Sequence, residues 1–180
     1  QQLAQAIAVY QEAIGIIRQL AAQDEGYTPL LADALNNLGI HHYQLKQYAE
    51  AEAAYKEAIA IWQERSSSNE AFCPSLAVTC SNLAALYRAS FRYPEAEALY
   101  RQALQLRQSI RQSHSEDLST WAAEAEANIK LGNVLRDDGR DNEAEPYYLA
   151  AIDIRKDLEA QDEKYGPQLA MAYYNMAAMY

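Results

Sequence analysis

The sequence contains little of what disulfide-rich, membrane-spanning or secreted proteins require. Among its 180 residues are only two cysteines, six glycines and five prolines. No stretch approaches the roughly 18 uncharged apolar residues of a membrane span, and residues 1–20 lack the charged head and apolar core of a signal peptide. The first residue is Gln1 rather than methionine, so a targeting segment preceding it is an open alternative. We expect a cytoplasmic protein that does not contact a membrane.

The two cysteines, Cys73 and Cys80, do not suit a disulfide. They are seven residues apart, and on one helix their Cα atoms would lie about 10 Å apart, beyond the roughly 7 Å that a disulfide tolerates. A CxxC pair and a Cys/His cluster with metal-ligand spacing are also absent. We expect two reduced thiols in a reducing compartment, with neither a metal nor a cofactor bound.

Charge and motif content disfavour nucleic-acid binding and catalysis. Fifteen basic against 25 acidic side chains give a net charge of −10, which repels a phosphate backbone. Glycine-rich phosphate loops, HExxH pairs and G-x-S-x-G elbows are absent. His41 and His42 are adjacent and would point about 100° apart on a helix, so we expect His42 in the core and no metal or catalytic site. We predict that the chain is not an enzyme.

Alanine, in contrast, occurs 34 times, and much of it belongs to an internal repeat. Four segments align without a gap: LAQAIAVYQEAIGI (Leu3–Ile16), YAEAEAAYKEAIAI (Tyr48–Ile61), YPEAEALYRQALQL (Tyr93–Leu106) and DNEAEPYYLAAIDI (Asp141–Ile154). In each, an alanine precedes a tyrosine by four positions and a second alanine by seven. This spacing predicts one packing face of a helix, with a tyrosine between two small residues.

A second motif alternates with the first. It reads PLLADALNNLG (Pro29–Gly39), PSLAVTCSNLA (Pro74–Ala84) and PQLAMAYYNMA (Pro167–Ala177), and its third copy, AEAEANIKLG (Ala123–Gly132), has Ala122 in place of proline. Proline is well tolerated at the first helical position, so these prolines mark helix starts. We predict eight helices, over about 2–22, 29–45, 48–65, 74–90, 94–112, 118–137, 142–160 and 167–180. Short turns within each pair of helices force antiparallel hairpins.

These motifs resemble the tetratricopeptide repeat (TPR), in the long-period variety found in kinesin light chains. The resemblance covers essentially all 180 residues. It implies an all-α, right-handed superhelical solenoid of antiparallel helix hairpins. Within each hairpin we call the helix with the proline motif the first-type helix and the helix with the Ala–Tyr–Ala motif the second-type helix. We predict one array: a second-type helix (1–28), three complete repeats (29–73, 74–118 and 119–166) and a first-type helix (167–180).

The first helices of such repeats build a concave wall. One side of each first helix is predicted to pack inside the array, and this side carries Leu38 and His42, Leu83 and Tyr87, Leu131 and Leu135, and Met176 and Tyr180. The opposite stripe is the candidate ligand surface. Its residues, copy by copy, are Asp33, Asn36, Asn37, Ile40 and Tyr43; Val78, Ser81, Asn82, Ala85 and Arg88; Glu126, Ile129, Lys130, Asn133 and Arg136; and Met171, Tyr174, Asn175 and Ala178.

The stripe contains a ladder of polar residues. One position of the stripe carries Asn37, Asn82, Lys130 and Asn175. Asparagine offers donors and an acceptor that can clamp an extended peptide backbone, and in the resembled family an asparagine ladder serves this purpose. The alternative is that each asparagine bonds a nearby backbone carbonyl.

Further candidates surround this ladder. Arg88, Lys130 and Arg136 could hold an acidic group of a ligand, unless Asp33, Glu126 and Asp137 neutralise them. Tyr43 and Tyr174 could offer flat apolar contact. The complete set of predicted peptide-binding residues is Asn36, Asn37, Tyr43, Asn82, Arg88, Lys130, Asn133, Arg136, Tyr174 and Asn175.

The leading hypothesis is a noncatalytic protein–protein interaction scaffold that binds an extended peptide or partner segment on its concave face. One alternative is a regulatory or docking arm of a larger signalling protein or enzyme. Another is a self-association module, a homo-oligomer formed through the uncapped last helix, where Tyr173, Met176 and Tyr180 would otherwise stay wet.

Overall fold

A computed structural model describes residues 2–180, which form eight α-helices joined by short connections and no β-strand. The helices are α1 (Gln2–Ala21), α2 (Thr28–Gln44), α3 (Tyr48–Ser68), α4 (Cys73–Ala89), α5 (Tyr93–Ser113), α6 (Leu118–Asp137), α7 (Asp141–Gln161) and α8 (Gly166–Ala177). The predicted helices agree within about three residues at each end. Gln1, where the predicted array begins, lies outside the described residues. None of the helices between residues 2 and 180 has both the length and the apolar character needed to cross a membrane.

The helices group into two compact units, which we describe separately. The first unit ends at Ala89 and holds α1 to α4; the second unit, Ser90–Tyr180, holds α5 to α8. Within each unit consecutive helices pack against each other, and α2 also contacts α4, as α6 contacts α8. Each unit therefore brings two first-type helices side by side. The individual repeat boundaries stay a prediction.

A left-handed residue follows each of α2, α4 and α6. Lys46, Phe91 and Gly139 have φ angles of 59°, 59° and 77°. After α2, the Lys46 N–H donates to the Tyr43 carbonyl and the Gln47 N–H donates to the His42 carbonyl, both at 2.9 Å. These two bonds form a Schellman motif, which satisfies the last helical carbonyls and ends the helix abruptly. The left-handed residues recur at the spacing of the sequence repeat.

Most of the longer connections use a short 3-10 turn capped by an acidic or amide side chain. Asp24, Asn69 and Asp162 each accept a hydrogen bond from the backbone N–H two residues later, at 2.8, 2.9 and 3.1 Å. In the degenerate copy Asp117 caps α6 directly, accepting from the Ser119 N–H at 2.9 Å. A side-chain cap therefore precedes this first-type helix even though its proline is missing.

The repeated core contact is a tyrosine between alanines, as the spacing predicts. The side chains of Tyr55, Tyr100 and Tyr148 are at most 3% exposed, and their flanking alanines are fully buried: Ala51, Ala58, Ala96, Ala103, Ala144 and Ala151. The Tyr55 ring lies so close to Gly39 that a Cβ atom there would be 2.7 Å from a ring carbon. At Gly132 a Cβ atom would lie 3.0 Å from the Tyr148 ring, a tight contact that needs only a small shift of the ring. Gly39 therefore leaves room for the Tyr55 ring that a side chain would fill, whereas the second copy has alanine, Ala84, at this position.

The packed side of the first-type helices is confirmed for the three complete copies. All six predicted residues are buried: Leu38, His42, Leu83, Tyr87, Leu131 and Leu135. The imidazole Nδ1 of His42 lies 2.7 Å from the Gln47 side-chain carbonyl, which satisfies a buried polar group. After α8 the pattern ends, and Tyr180 is 81% exposed.

Both cysteines are free thiols. Cys80 is fully buried and Cys73 is half-buried. Burial raises the pKa of the Cys80 thiol to about 12; burial and, secondarily, the charge of Glu70 raise the pKa of Cys73. Thiolate, the reactive form, is therefore scarce at neutral pH.

Candidate functional site

The candidate surface of the first unit lies on α2 and α4. All five residues predicted there are half-buried: Asn36, Asn37, Tyr43, Asn82 and Arg88. Half-burial limits the rotamers of a side chain while leaving part of it within reach of a ligand. The ring of Tyr43 lies 5.9 Å from that of Tyr48, centre to centre, which holds it against the start of α3.

An asparagine pair links the two helices. The Asn82 Nδ2 donates a hydrogen bond of 2.9 Å to the Asn36 Oδ1. This bond leaves the Asn36 amide hydrogens and the Asn82 side-chain carbonyl with unused capacity. The backbone-bonding alternative is instead seen in α6, where buried Asn128 donates to the Glu124 carbonyl at 3.1 Å. Two asparagine ladder positions, Asn37 and Asn82, therefore lie on a surface already organised by amide side chains.

A small cavity opens beside this pair. It has a volume of about 180 Å³ and is lined by Asp33, Asn36, Pro74, Ser75, Val78 and Thr79. Small-molecule sites usually have volumes of about 300–1,000 Å³, so this cavity suits a single side chain of a larger ligand. Asp33 is exposed on the rim of this cavity, and partial burial raises the pKa of its carboxyl.

In the second unit, the predicted residues on α6 already have partners within the unit. The Lys130 Nζ is 3.9 Å from the Glu126 Oε1, and the Arg136 Nη2 is 3.3 Å from the Asp137 Oδ1. The hydroxyl of Tyr148 donates to the Asn133 Oδ1 at 2.7 Å. Lys130 and Arg136 thus each lie near a carboxylate that can offset their charge, and Asn133 helps to hold the core tyrosine.

On α8 the predicted residues are more open. Tyr174 is 70% exposed, whereas Asn175 is half-buried. Met171, at the first position of the stripe, is 55% exposed. These side chains present an apolar and amide surface at the end of the second unit.

The ligand-facing stripe was predicted wrongly at two positions. Ser81 and Ile129 are 5% and 4% exposed, so neither can contact a ligand. The Ser81 Oγ donates to the Ala77 carbonyl of its own helix at 2.8 Å, which lets a polar side chain be buried. Ile129 is apolar and gains free energy by burial.

Sequence reasoning missed two arginines, Arg107 and Arg155. Arg155 is only 6% exposed; it donates to the Gln168 carbonyl at 2.5 Å and to the Glu126 carboxylate at 3.1 Å. Burial lowers the pKa of both arginines, and the charge of Glu126 opposes this shift. The repeat alignment could have identified them, because it places both arginines at the position of Trp62, which is a core residue in its own copy.

The connection between α5 and α6 contains a further cavity, of about 470 Å³. In its wall the Arg111 guanidinium lies 4.3 Å from the centre of the Trp121 ring and 3.0 Å from the Glu124 carboxylate. The Trp121 indole N–H donates to the Ser115 carbonyl at 2.8 Å. These contacts stabilise the connection between α5 and α6 in the copy that lacks the proline. We therefore attribute the cavity to the packing of this connection and not to a ligand.

Comparisons with known proteins cover most of the chain. Family models described as "Tetratricopeptide repeat" match residues 1–64, 30–109 and 129–159. No curated protein matches the sequence significantly. The crystal structure of BtubC (BKLC) from P. vanneervenii is similar, with a TM-score of 0.73 and 22% sequence identity. The likeness covers 100% of this chain, which spans 66% of the length of BtubC, and it concerns the fold of antiparallel helix hairpins.

Proposed function

Because the chain belongs to the tetratricopeptide repeat family, we propose that it is a noncatalytic scaffold for protein–protein interaction. Tetratricopeptide repeats generally mediate such interactions, through surfaces formed by successive repeats. The proposed ligand is an extended peptide or partner segment that lies along the first-type helices. We further propose that the protein works in the cytoplasm, in keeping with its two free thiols, which suit a reducing compartment.

The observation that carries this proposal is the amide surface shared by α2 and α4. Asn82 bonds Asn36 across the two helices. Asn37, the next residue of α2, is half-buried, and its side chain makes no hydrogen bond within residues 2–180. Backbone amides of an extended peptide need both donors and acceptors, and each asparagine supplies both. Such contacts bind a peptide backbone independently of its sequence.

Each unit offers its own part of the proposed ligand surface. In the first unit Tyr43 supplies apolar contact and Arg88 supplies polar contact. In the second unit Tyr174 supplies apolar contact, and polar contact comes from Lys130, Asn133, Arg136 and Asn175. Lys130 and Arg136 can exchange their present carboxylate partners for acidic groups of a ligand, since exposed ion pairs contribute only about 0–1 kcal/mol.

Replacing Asn37, Asn82 and Asn175 together by alanine should weaken peptide binding at least about tenfold, because each lost hydrogen bond contributes roughly 1 kcal/mol. Peptides are first selected on the wild-type chain from a random library, and their affinities for both proteins are then measured by calorimetry. Asn142→Ala, which changes an exposed asparagine of α7, is the matched control and should bind as the wild type does. Unchanged affinity of the triple variant, with helicity preserved, would reject the clamp.

A further inference from the structure

The first and third copies of the repeat carry a carboxylate at the same position. Asp33 in α2 and Glu126 in α6 are 93 residues apart. The same spacing relates Asn37 to Lys130, and Trp62 to Arg155. Each residue near Glu126 therefore has a defined counterpart near Asp33, and the two copies can be compared side chain by side chain.

In the second unit the carboxylate has two cationic partners. The Arg155 Nη2 lies 3.1 Å from the Glu126 Oε2, and the Lys130 Nζ lies 3.9 Å from the Glu126 Oε1. Lys130 comes from the same helix and Arg155 comes from α7. The fold thus shows that a carboxylate at this repeat position accepts a guanidinium and an ammonium group together.

In the first unit both cations are replaced by neutral side chains. Asn37 stands in place of Lys130, and Trp62, which is 2% exposed, stands in place of Arg155. Within residues 2–180, Asp33 has no ion-pair partner. Asp33 lies at an exposed position of α2, so its carboxylate is open to an ion pair with a cation of a ligand.

Space for such a cation is present beside Asp33. The lining of the cavity of about 180 Å³ includes the apolar side chains of Pro74 and Val78 and the polar side chains of Asn36 and Ser75. Lysine and arginine combine an aliphatic stem with a charged end. The stem can lie against Pro74 and Val78 while the charged end approaches Asp33.

We infer that this cavity, which we call the Asp33 pocket, binds the cationic side chain of a lysine or arginine in a partner segment. The partner would give Asp33 the cationic group that Glu126 receives from Lys130 of α6 and Arg155 of α7. The inference rests on the proposed peptide-binding function and adds a residue preference to it. Ligands with a basic residue at this point should be favoured over otherwise identical neutral ones.

Three short peptides test the preference. They are capped pentapeptides of glycine with lysine, arginine or norleucine at the centre, titrated while the Val78 methyl and Asn36 side-chain amide signals are followed by NMR. The lysine and arginine peptides should bind about fivefold more tightly than the norleucine peptide, as expected for a partly exposed ion pair. Asp33→Asn should remove the preference.

Two further variants make the result specific to the pocket. Asp157→Asn removes the same charge from an exposed position on α7 and should keep the preference. Asn37→Lys copies the Lys130 arrangement and should reduce the preference by filling the site from within. Equal binding of all three peptides, or equal loss of preference in Asp157→Asn, would overturn the inference.

Different results are expected if the proposed peptide-binding function is wrong than if the Asp33 pocket is wrong. If the asparagine ladder is not a clamp, the triple alanine variant keeps its affinity for selected peptides whatever residue they place at the Asp33 pocket. If only the pocket is wrongly assigned, the triple variant binds all the selected peptides more weakly than the wild type does. Basic and neutral peptides would then bind the wild type with equal affinity.

Discussion

Replacing Tyr55 with alanine should lower the free energy of unfolding by about 3–5 kcal/mol, the range for removing a buried aromatic ring. The Tyr55 side chain is 1% exposed and lies between Ala51 and Ala58, both fully buried. Its ring covers Gly39 of the preceding helix. Alanine and glycine have no atoms that could move into the vacated space, so we expect a cavity to persist.

The chain contains its own control for this substitution. Tyr10 occupies the same repeat position in α1 but is half-buried, so Tyr10→Ala should cost only about 1 kcal/mol. Urea denaturation followed by circular dichroism measures both losses. Equal losses for the two variants would contradict the account, because they would show that burial between alanines adds nothing.

Replacing Gly39 with valine should also be strongly destabilising, by about 3 kcal/mol. A Cβ atom at this position would lie 2.7 Å from one Tyr55 ring carbon and 2.8 Å from another, so either the ring or the helix must move. The ring is enclosed and cannot move cheaply. The better helix propensity of valine over glycine offsets only a few tenths of a kcal/mol.

Gly15→Val is the matched control, because apart from its adjacent residues and the nearby backbone of its own helix nothing lies within 4 Å of a Cβ atom at Gly15. Its effect on the free energy of unfolding should stay within about 0.5 kcal/mol.

The same denaturation series can include Gly39→Val in the Tyr55→Ala background. There valine enters the vacated space, so the two losses should sum to more than the loss in the double variant. Strict additivity would show that Gly39 and Tyr55 do not share a contact.

The helices and their packing could be predicted because the repeat encodes local contacts. The spacing of Ala51, Tyr55 and Ala58 identifies one helix face, and Pro74, in the first turn of α4, identifies where that helix begins. Four copies of the pattern reinforce one another, so an error in one copy is visible in the others. The end of α8 at Ala177 rather than Tyr180 departs from the prediction where the pattern ends.

The candidate site could be predicted only in part. Its stripe of positions follows from helical geometry, but the exposure of each side chain depends on neighbours from other helices. Ile129 lies on that stripe and is nevertheless buried. The contact between Arg155 and Glu126 joins α7 to α6, and the bond between Asn82 and Asn36 joins α4 to α2. Such pairings between helices require coordinates, since they depend on the distance and rotamers of two side chains.

We propose that the first-type helices, and not the second-type helices, form the ligand surface. The most direct test is an NMR map of backbone and side-chain shifts on adding a peptide selected by the wild-type chain. We predict that the largest shifts fall on α2 and α4 in the first unit, including the side-chain amides of Asn36, Asn37 and Asn82, with smaller changes on α1 and α3. Shifts concentrated on α1 and α3, with those three amides unaffected, would contradict the claim.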